Sequence, residues 1–163
     1  MPFEMIKINY AWDSGVFIVW LCEENTAPLG DMDLVVREID SDRANLILSV
    51  MTYSEILESK HDKKQLEQLD SFLRRSNVVK VDTTIPIAQK AARIRDSGLR
   101  DGRKIRTPDA TVIATAILHK AHVLHTLDKG ILSLNGTSIV DGLPITMPCL
   151  KSGDRCLFDN PTE

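Results

Sequence analysis

Apolar residues follow two alternating patterns along the chain. Short continuous apolar runs, rich in β-branched residues, are typical of buried strands, and the longer stretches between them have the apolar spacing of helices. Strands are predicted at 5–12, 45–50, 78–81 and 123–127, with a short edge strand at 143–147. Helices are predicted at 16–22, 28–43, 62–75 and 84–98, and also from 52 and from 107 onward. This repetition of β-α units predicts an α/β domain with a parallel sheet.

The clearest helix start in the chain is at residues 107–109. Thr107 is predicted to cap this helix, Pro108 occupies the first helical position, and Asp109 lies in the first turn, where the helix dipole favours an acid. The apolar sequence ATVIATAIL follows, so this helix is expected to be buried. The segment Asp82-Thr83-Thr84 predicts a similar cap for the helix before it.

Four acidic residues, called the acidic quartet below, each lie at the end of a predicted strand or near the start of a helix. They are Asp13, Glu55, Asp109 and Asp128. Because the carboxyl ends of parallel strands form one crevice, we expect the quartet to converge there. Two carboxylates about 4 Å apart repel by roughly 4 kcal/mol at an effective dielectric constant near 20. Such a cluster needs protons or a cation, and its oxygen-only donors favour Mg²⁺ or Mn²⁺ over zinc.

Each member of the quartet also has a purely structural interpretation. Asp109 is a favoured helix-start residue, Asp13 and Asp128 suit turns, and Glu55 suits an exposed helix face. Their joint placement beside strand ends favours the functional interpretation. Asp82 also follows a predicted strand, but its place before Thr83-Thr84 is better explained by helix capping.

Four segments resemble, in order, the motifs of PIN-domain nucleases, among which bacterial and archaeal VapC-like toxins are nearest in length. The segments are 13–18, 49–57, 107–116 and 126–128. The resemblance extends from about residue 6 to 147. It implies a PIN-like three-layer α/β/α domain at 1–148, with a central, mostly parallel sheet of about five strands. Two features depart from the family: Gly15, where it more often has Ser, Thr or Asn, and the predicted C-terminal tail at 149–163, which such toxins often lack.

The resemblance also implies an activity and a set of functional residues. The acidic quartet would be both catalytic and metal-binding, holding Mg²⁺ or Mn²⁺, and the hydroxyls of Ser14, Thr52 and Thr126 would orient its carboxylates. The expected reaction is hydrolysis of RNA phosphodiester bonds by an endoribonuclease. VapC-like members are toxins of type II toxin-antitoxin pairs, so a small cognate antitoxin and a homodimer are the expected protein partners. The helices at 28–43 and 62–75 have apolar faces, which fit either such a dimer or the core of the domain itself.

Composition limits how the protein can bind RNA. The chain has 163 residues, 43% hydrophobic and 26% charged, which fits one globular domain. Its 20 basic and 23 acidic residues exclude binding through bulk positive charge, so any basic surface must be local. Residues 90–106 contain seven basic and two acidic side chains and lead into Asp109. Arg103, Lys104 and Arg106 are the predicted RNA contacts, and a solvated helix face is the alternative interpretation of this segment.

The cysteine and histidine patterns do not predict a metal site. Three cysteines, Cys22, Cys149 and Cys156, form no CxxC pair and predict no disulfide framework. The triplet His119, His122 and His125 crosses a predicted helix end, which would separate the rings. The chain has no apolar run of the roughly 18 to 20 residues that span a bilayer, and its N-terminus lacks the pattern of a secretory signal. A soluble, cytoplasmic protein that does not contact a membrane is therefore expected.

Other functions are compatible with an α/β fold. A receiver domain needs two adjacent acids after the first strand, where this chain has Asp13 alone, and a haloacid-dehalogenase-like phosphatase needs an acid where this chain has Gly15. Two alternatives to a toxin stay open. One is a PIN-like module that binds RNA or a partner with little turnover, and the other is a housekeeping RNA-processing nuclease.

Overall fold

The computed structural model describes residues 6–23, 28–152 and 155–156. Its central sheet has five strands, all paired in parallel, in the spatial order β3-β2-β1-β4-β5. The strands are β1 (Ile8–Trp12), β2 (Ala44–Ser49), β3 (Val78–Val81), β4 (Val123–His125) and β5 (Ile145–Thr146). The predicted α/β class and parallel sheet are confirmed. A two-stranded antiparallel ribbon, β6 (Lys151–Ser152) with β7 (Arg155–Cys156), follows the sheet.

Helices lie between the strands in the predicted places. They are α1 (Ser14–Cys22), α2 (Leu29–Asp40), α3 (Val50–Glu58), α4 (Lys63–Leu73), α5 (Ile85–Arg100), α6 (Thr107–Leu118) and α7 (Lys129–Leu132), with a 3₁₀ turn at Ser138–Val140. The sequence pattern did not predict α7 or the 3₁₀ turn. The buried residues of α6, a run from Ala110 to Ala116, confirm that this helix is internal.

The sheet is covered on both faces by apolar clusters, which gives the three layers. In β1, Tyr10 and Trp12 pack into one cluster with residues of α1, α2 and α4, whereas Ala11 joins the other with residues of α5 and α6. This alternation follows from the period of two in a strand. Because β1 and β2 are buried from both sides, their ends are rigid supports for the loops that follow them.

The starts of α5 and α6 differ from the predictions. Thr107 does not cap α6, because the helix begins one residue earlier than predicted and Arg106 is its N-cap residue. The amide of Ala110, which a Thr107 cap would have bound, donates instead to the Arg106 carbonyl at 3.0 Å. At α5 the cap is Thr84 rather than Asp82, and its hydroxyl accepts a hydrogen bond from the Ile87 amide.

The segment after residue 148 packs on the domain where the structure describes it. Leu150 lies against the first apolar cluster, and the Lys151 amide donates to the Tyr10 hydroxyl at 2.9 Å. The first residues of the predicted tail therefore contact the domain, while the domain boundary at 148 stays a prediction. Cys149 is disulfide-bonded, which the odd cysteine count did not indicate. Within the described part of the chain, no helix is long and apolar enough to cross a membrane.

Two of the three spaced histidines contribute to the sheet. The ring of His122 accepts a hydrogen bond from the Asn9 amide at 2.8 Å. The ring of His125 is fully buried and accepts one from the Trp12 indole at 3.0 Å. Burial lowers the pKa of His125 to about 3, so this ring is neutral at physiological pH. These contacts tie β1 to β4, the strands that precede Asp13 and Asp128.

Candidate active site

The acidic quartet lies at the carboxyl edge of the sheet. Asp13 follows β1 and caps α1, Asp128 follows β4 and caps α7, and Glu55 and Asp109 project from α3 and α6. Three of the four charges act on shared neighbours. Burial, and then the charges of Asp109 and Asp128, raise the pKa of Asp13, and the hydrogen bonds and charge of Asp109, and then the charges of Glu55 and Asp128, raise the pKa of the Arg106 guanidinium. The structure thus brings the predicted quartet into one electrostatic site.

Asp13 is the buried member of the quartet, with 9% of its surface exposed. Its Oδ1 accepts a hydrogen bond from the Val16 amide at 3.2 Å, and its Oδ2 accepts one from the Thr126 hydroxyl. Burial, aided by the charges of Asp109 and Asp128, raises the pKa of Asp13 to about 6. Without a cation, its negative charge is therefore unfavourable in the folded protein.

Thr126 connects two members of the quartet. Its buried hydroxyl donates to Asp13 and accepts a hydrogen bond from the Asp128 amide at 3.0 Å. The Asp128 carboxylate is held in turn by the Ile131 amide, 3.0 Å from Oδ1. A Cβ at Gly130 would lie 3.0 Å from the same oxygen, so glycine at this position leaves room for the carboxylate. One hydroxyl therefore fixes the relative positions of the loops after β1 and β4.

The other predicted orienting hydroxyls differ in their contacts. Ser14 donates to Glu55 Oε2 at 3.0 Å, which joins the start of α1 to the middle of α3. The hydroxyl of Thr52 is fully buried and has no hydrogen-bond partner among the described residues. The structure therefore shows carboxylate contacts for Ser14 and Thr126 but not for Thr52. A Cβ at Gly15 would lie 3.6 Å from Asp13 Oδ1, an ordinary contact, so a larger residue would also fit there.

Asp109 is paired with a cation of the same chain. Arg106 Nε lies 2.9 Å from Asp109 Oδ2, and its Nη2 lies 3.1 Å from Oδ1, so the guanidinium binds both carboxylate oxygens. The hydrogen bonds from Arg106 to Asp109, and then the charge of Asp109, raise the pKa of Arg106. This contact was missed in the sequence, although opposite charges three residues apart near a helix start are a recognisable signal.

A cleft of about 360 Å³ opens beside the quartet. Asp109 and Asp128 lie on its acidic side, and its remaining lining combines cations with apolar and small residues. These are Arg103, Lys104, Ile105, Arg106, Gly130, Ile131, Ser133 and Leu134. Of the three predicted RNA contacts, Lys104 is exposed, whereas Arg103 Nη1 donates to the Ser133 carbonyl and hydroxyl at 2.9 Å. Arg103 therefore also stabilises the wall of the cleft.

The chemistry of the quartet fits a hard divalent cation. Its donors are all carboxylate oxygens, and burial together with the charges of Asp109 and Asp128 makes an ionised Asp13 unfavourable unless a cation is bound. With the side chains as placed, no three acidic, histidine or cysteine groups among the described residues are close enough together to hold a metal ion. Arg106 occupies both oxygens of Asp109, so cation binding requires this side chain or its neighbours to move.

Replacing Thr126 by Val is expected to weaken Mn²⁺ binding about tenfold or more, because residues that orient metal ligands commonly contribute that much to affinity. Valine keeps the volume but removes the hydroxyl that joins Asp13 to the Asp128 amide. The matched control is Thr115→Val, since Thr115 is equally buried but donates only to the Thr111 carbonyl in α6. Isothermal titration calorimetry measures both variants. Equal Mn²⁺ affinity of Thr126→Val and the parent would contradict the orienting role.

Comparison with known proteins is consistent with this geometry. The sequence model of the PIN domain family matches residues 10–136, which include the whole acidic quartet. No curated protein sequence matches the chain.

Three solved structures illustrate the similarity of fold. A DNA-bound VapBC from Salmonella typhimurium has a TM-score of 0.62 at 17% identity, covering 87% of this chain and 99% of that chain. VapBC2 from Rickettsia felis, bound to a promoter fragment, has a TM-score of 0.61 at 15% identity, with coverage of 85% and 97%. VapC20 from Mycobacterium tuberculosis, described as a toxin that cleaves the sarcin-ricin loop, has a TM-score of 0.56 at 15% identity, with coverage of 76% and 93%.

Proposed function

Because the chain belongs to the PIN domain family of nucleases, we propose that it is a divalent-cation-dependent endoribonuclease that hydrolyses RNA phosphodiester bonds. The observation that carries this proposal is that Asp109 and Asp128 act on the buried Asp13 and that Glu55 is bound to the adjacent Ser14, beside a cleft with cationic side chains. A phosphodiester needs positive charge at the scissile phosphate and at the flanking phosphates. The quartet would supply positive charge at the scissile phosphate through a bound cation, and the cationic side chains of the cleft would supply it at the flanking phosphates.

The proposed roles follow the contacts of each side chain. Asp13, Glu55, Asp109 and Asp128 would hold Mg²⁺ or Mn²⁺. When bound, such a cation stabilises charge on a phosphate oxygen and lowers the pKa of a water molecule. Ser14 holds the Glu55 carboxylate, and Thr126 holds Asp13 against the loop that carries Asp128. These hydroxyls keep the carboxylates in place before any substrate arrives, which reduces the reorganisation that the reaction requires.

The cleft suggests how RNA would lie beside the quartet. Lys104 is exposed at the rim and is the first cation that a flanking phosphate would meet. Arg103 would bind phosphate from its position on Ser133, and Arg106 would do so when it is not paired with Asp109. Ile105, Ile131 and Leu134 provide an apolar lining against which a base or ribose can pack.

We propose further that the nuclease is the toxin of a type II toxin-antitoxin pair and has a small cognate antitoxin. The support is the likeness of fold to the VapBC structures. A housekeeping RNA-processing nuclease would use the same site. Growth arrest on expression, relieved by a protein encoded beside the gene, favours the toxin, whereas normal growth with defective RNA maturation in a deletion strain favours the housekeeping enzyme.

A homodimer also belongs to this proposal. Most apolar residues of α2 and α4 pack into the core of the domain, although Leu66 of α4 is 41% exposed. Further exposed apolar side chains lie on α3 and β3. They are Val50, Tyr53, Leu57 and Val79, with 38 to 51% of their surface exposed. A second copy of the chain would cover this face.

The test of the proposed activity is cleavage of a panel of labelled structured and single-stranded RNAs in Mn²⁺, in Mg²⁺ and in EDTA. We expect cleavage in either metal and none in EDTA. Retention of RNA without cleavage in any condition would instead favour the binding module. Cleavage that persists in EDTA would exclude the cation-dependent reaction.

A further inference from the structure

Arg106 is a cation inside a site that we expect to bind another cation. Its guanidinium binds both oxygens of Asp109, and 67% of its side-chain surface is exposed against 17% for Asp109. Glu55 and Asp128 also act electrostatically on the guanidinium. A divalent cation held by the quartet would need carboxylate oxygens that Arg106 now occupies. The two cations therefore cannot both use Asp109 fully.

The backbone that carries Arg106 is held firmly against α5. Ile105 is buried, and its carbonyl accepts a hydrogen bond from Arg95 Nε at 3.1 Å. The Arg103 amide donates to the Gly98 carbonyl at 2.7 Å. A Cβ at Gly98 would lie 2.8 Å from Ile105 Cδ1, so α5 packs closely against this loop. The Arg106 backbone is therefore fixed beside Asp109, and its exposed side chain is the part that can turn away.

From this arrangement we propose that Arg106 is a built-in counter-ion, which competes with the divalent cation for the Asp109 carboxylate and is released into the cleft when the cation binds. The inference rests on the proposed function, because it requires the acidic quartet to bind a divalent cation. It explains how four neighbouring acids are tolerated in the cation-free protein. It also makes the released guanidinium available to an RNA phosphate only when the cation is present.

The proposal predicts whether one substitution strengthens or weakens Mn²⁺ binding. Replacing Arg106 by Ala removes the competitor, so the quartet should bind Mn²⁺ more tightly, by about fivefold for an exposed ion pair. If Arg106 only positioned Asp109 or stabilised the start of α6, the same substitution would weaken Mn²⁺ binding or leave it unchanged. The direction of the change therefore separates competition from a structural role.

Isothermal titration of the full chain with Mn²⁺ measures this effect without RNA or activity. The matched control is Arg100→Ala, which removes the same charge from an exposed pair with Asp96 in α5 and should bind Mn²⁺ like the parent. A second comparison uses the Asp109→Asn background, in which Arg106→Ala should no longer tighten binding because the shared carboxylate is absent. Arg106→Lys, which keeps the charge without the two-point contact, should fall between the parent and Arg106→Ala.

Release of the Arg106 guanidinium from Asp109 can be measured separately by NMR. In ¹⁵N-resolved spectra, Mg²⁺ should shift or broaden the Arg106 Nε–H resonance at the same concentrations at which it binds. An unperturbed Nε–H resonance at saturating Mg²⁺ would overturn the release of Arg106.

The outcomes separate the two proposals. If the parent binds Mn²⁺ and Asp109→Asn weakens binding, but Arg106→Ala does not tighten it, the competition is overturned and the cation site stands. If neither the parent nor Arg106→Ala binds Mn²⁺, the cation site fails and the competition fails with it. Binding that appears only in Arg106→Ala supports the competition in its strongest form.

Discussion

Replacing Asp13 or Asp109 by Asn is expected to lower RNA cleavage on the order of a thousandfold, as expected when a group that stabilises the transition state is removed. Asparagine keeps the size of the side chain and one acceptor oxygen but removes the negative charge. The quartet then has three charges for the cation, and one of the ligands is a weaker donor. Cleavage of the labelled RNA panel in Mn²⁺, with both variants purified in the same way as the parent, measures the loss.

The matched control for these variants is Asp82→Asn. Asp82 is exposed and directly follows β3, so it resembles Asp13 in its relation to the sheet but lies outside the quartet. The control should cleave RNA like the parent, which also excludes a contaminating nuclease as the source of activity. Undiminished cleavage by both quartet variants would remove the quartet from the mechanism.

The second large expected effect is on stability: the same Asp13→Asn substitution that lowers cleavage should make the protein more stable. In EDTA at pH 7.5, Asp13→Asn is expected to raise the free energy of unfolding by about 1 to 2 kcal/mol. Burial raises the pKa of Asp13 to about 6, against an ordinary value of 3.8. The folded protein therefore binds this proton more tightly than the unfolded chain does. The corresponding stability is present below about pH 4 and is lost as the pH rises to about 6, so ionised Asp13 destabilises the fold at neutral pH.

The difference between those two pKa values corresponds to at most about 3 kcal/mol. The expected gain is smaller, because asparagine cannot accept the hydrogen bonds of Val16 and Thr126 on two oxygens. Urea denaturation between pH 4 and 7.5 measures the effect, again with Asp82→Asn as the control. Mn²⁺ at about a hundred times its Kd should stabilise the parent by about 2.7 kcal/mol and stabilise Asp13→Asn much less. If Asp13→Asn were less stable than the parent at pH 7.5, the claim that ionised Asp13 destabilises the fold would be contradicted.

The architecture could be predicted from the sequence because its signals are local. Strands β1 and β2 are short and rich in apolar residues, and a helix that covers them, α2, has a clear apolar spacing. Helix α7 has four residues, too few to show a helical period, so it was missed. The start of α6 was placed one residue late because backbone hydrogen bonding to Arg106 extends the helix beyond the capping signal.

The positions of the acidic quartet were also predictable, since they follow from where parallel strands end. The contacts within the site were less predictable. Ser14 follows Asp13 and Thr126 lies two residues before Asp128 in the sequence, and both hydroxyls contact carboxylates in the structure. Thr52 shows no such contact, because the orientation of a buried hydroxyl depends on packing that a motif does not encode. The contact of Arg103 with Ser133, 30 residues away, is likewise set by the tertiary fold.

The sequence also does not show which apolar faces are buried and which are exposed. An amphipathic helix has an apolar face whether it covers its own sheet or another protein, so the sequence could not separate the core faces of α2 and α4 from a dimer face. The structure packs most of both faces into the core and leaves Val50, Tyr53 and Leu57 of α3 and Val79 of β3 exposed. Burial depends on neighbours that are distant in the chain, which the periodicity of one helix does not report.

The most direct test of the divalent-cation site is the anomalous diffraction of a crystal grown with Mn²⁺. We expect one strong peak at ordinary Mn–O distances from the carboxylates of at least two of Asp13, Asp109 and Asp128, with the Arg106 guanidinium turned away from Asp109. A well-ordered site without a peak, in which Arg106 still binds both oxygens of Asp109 at saturating Mn²⁺, would contradict this expectation.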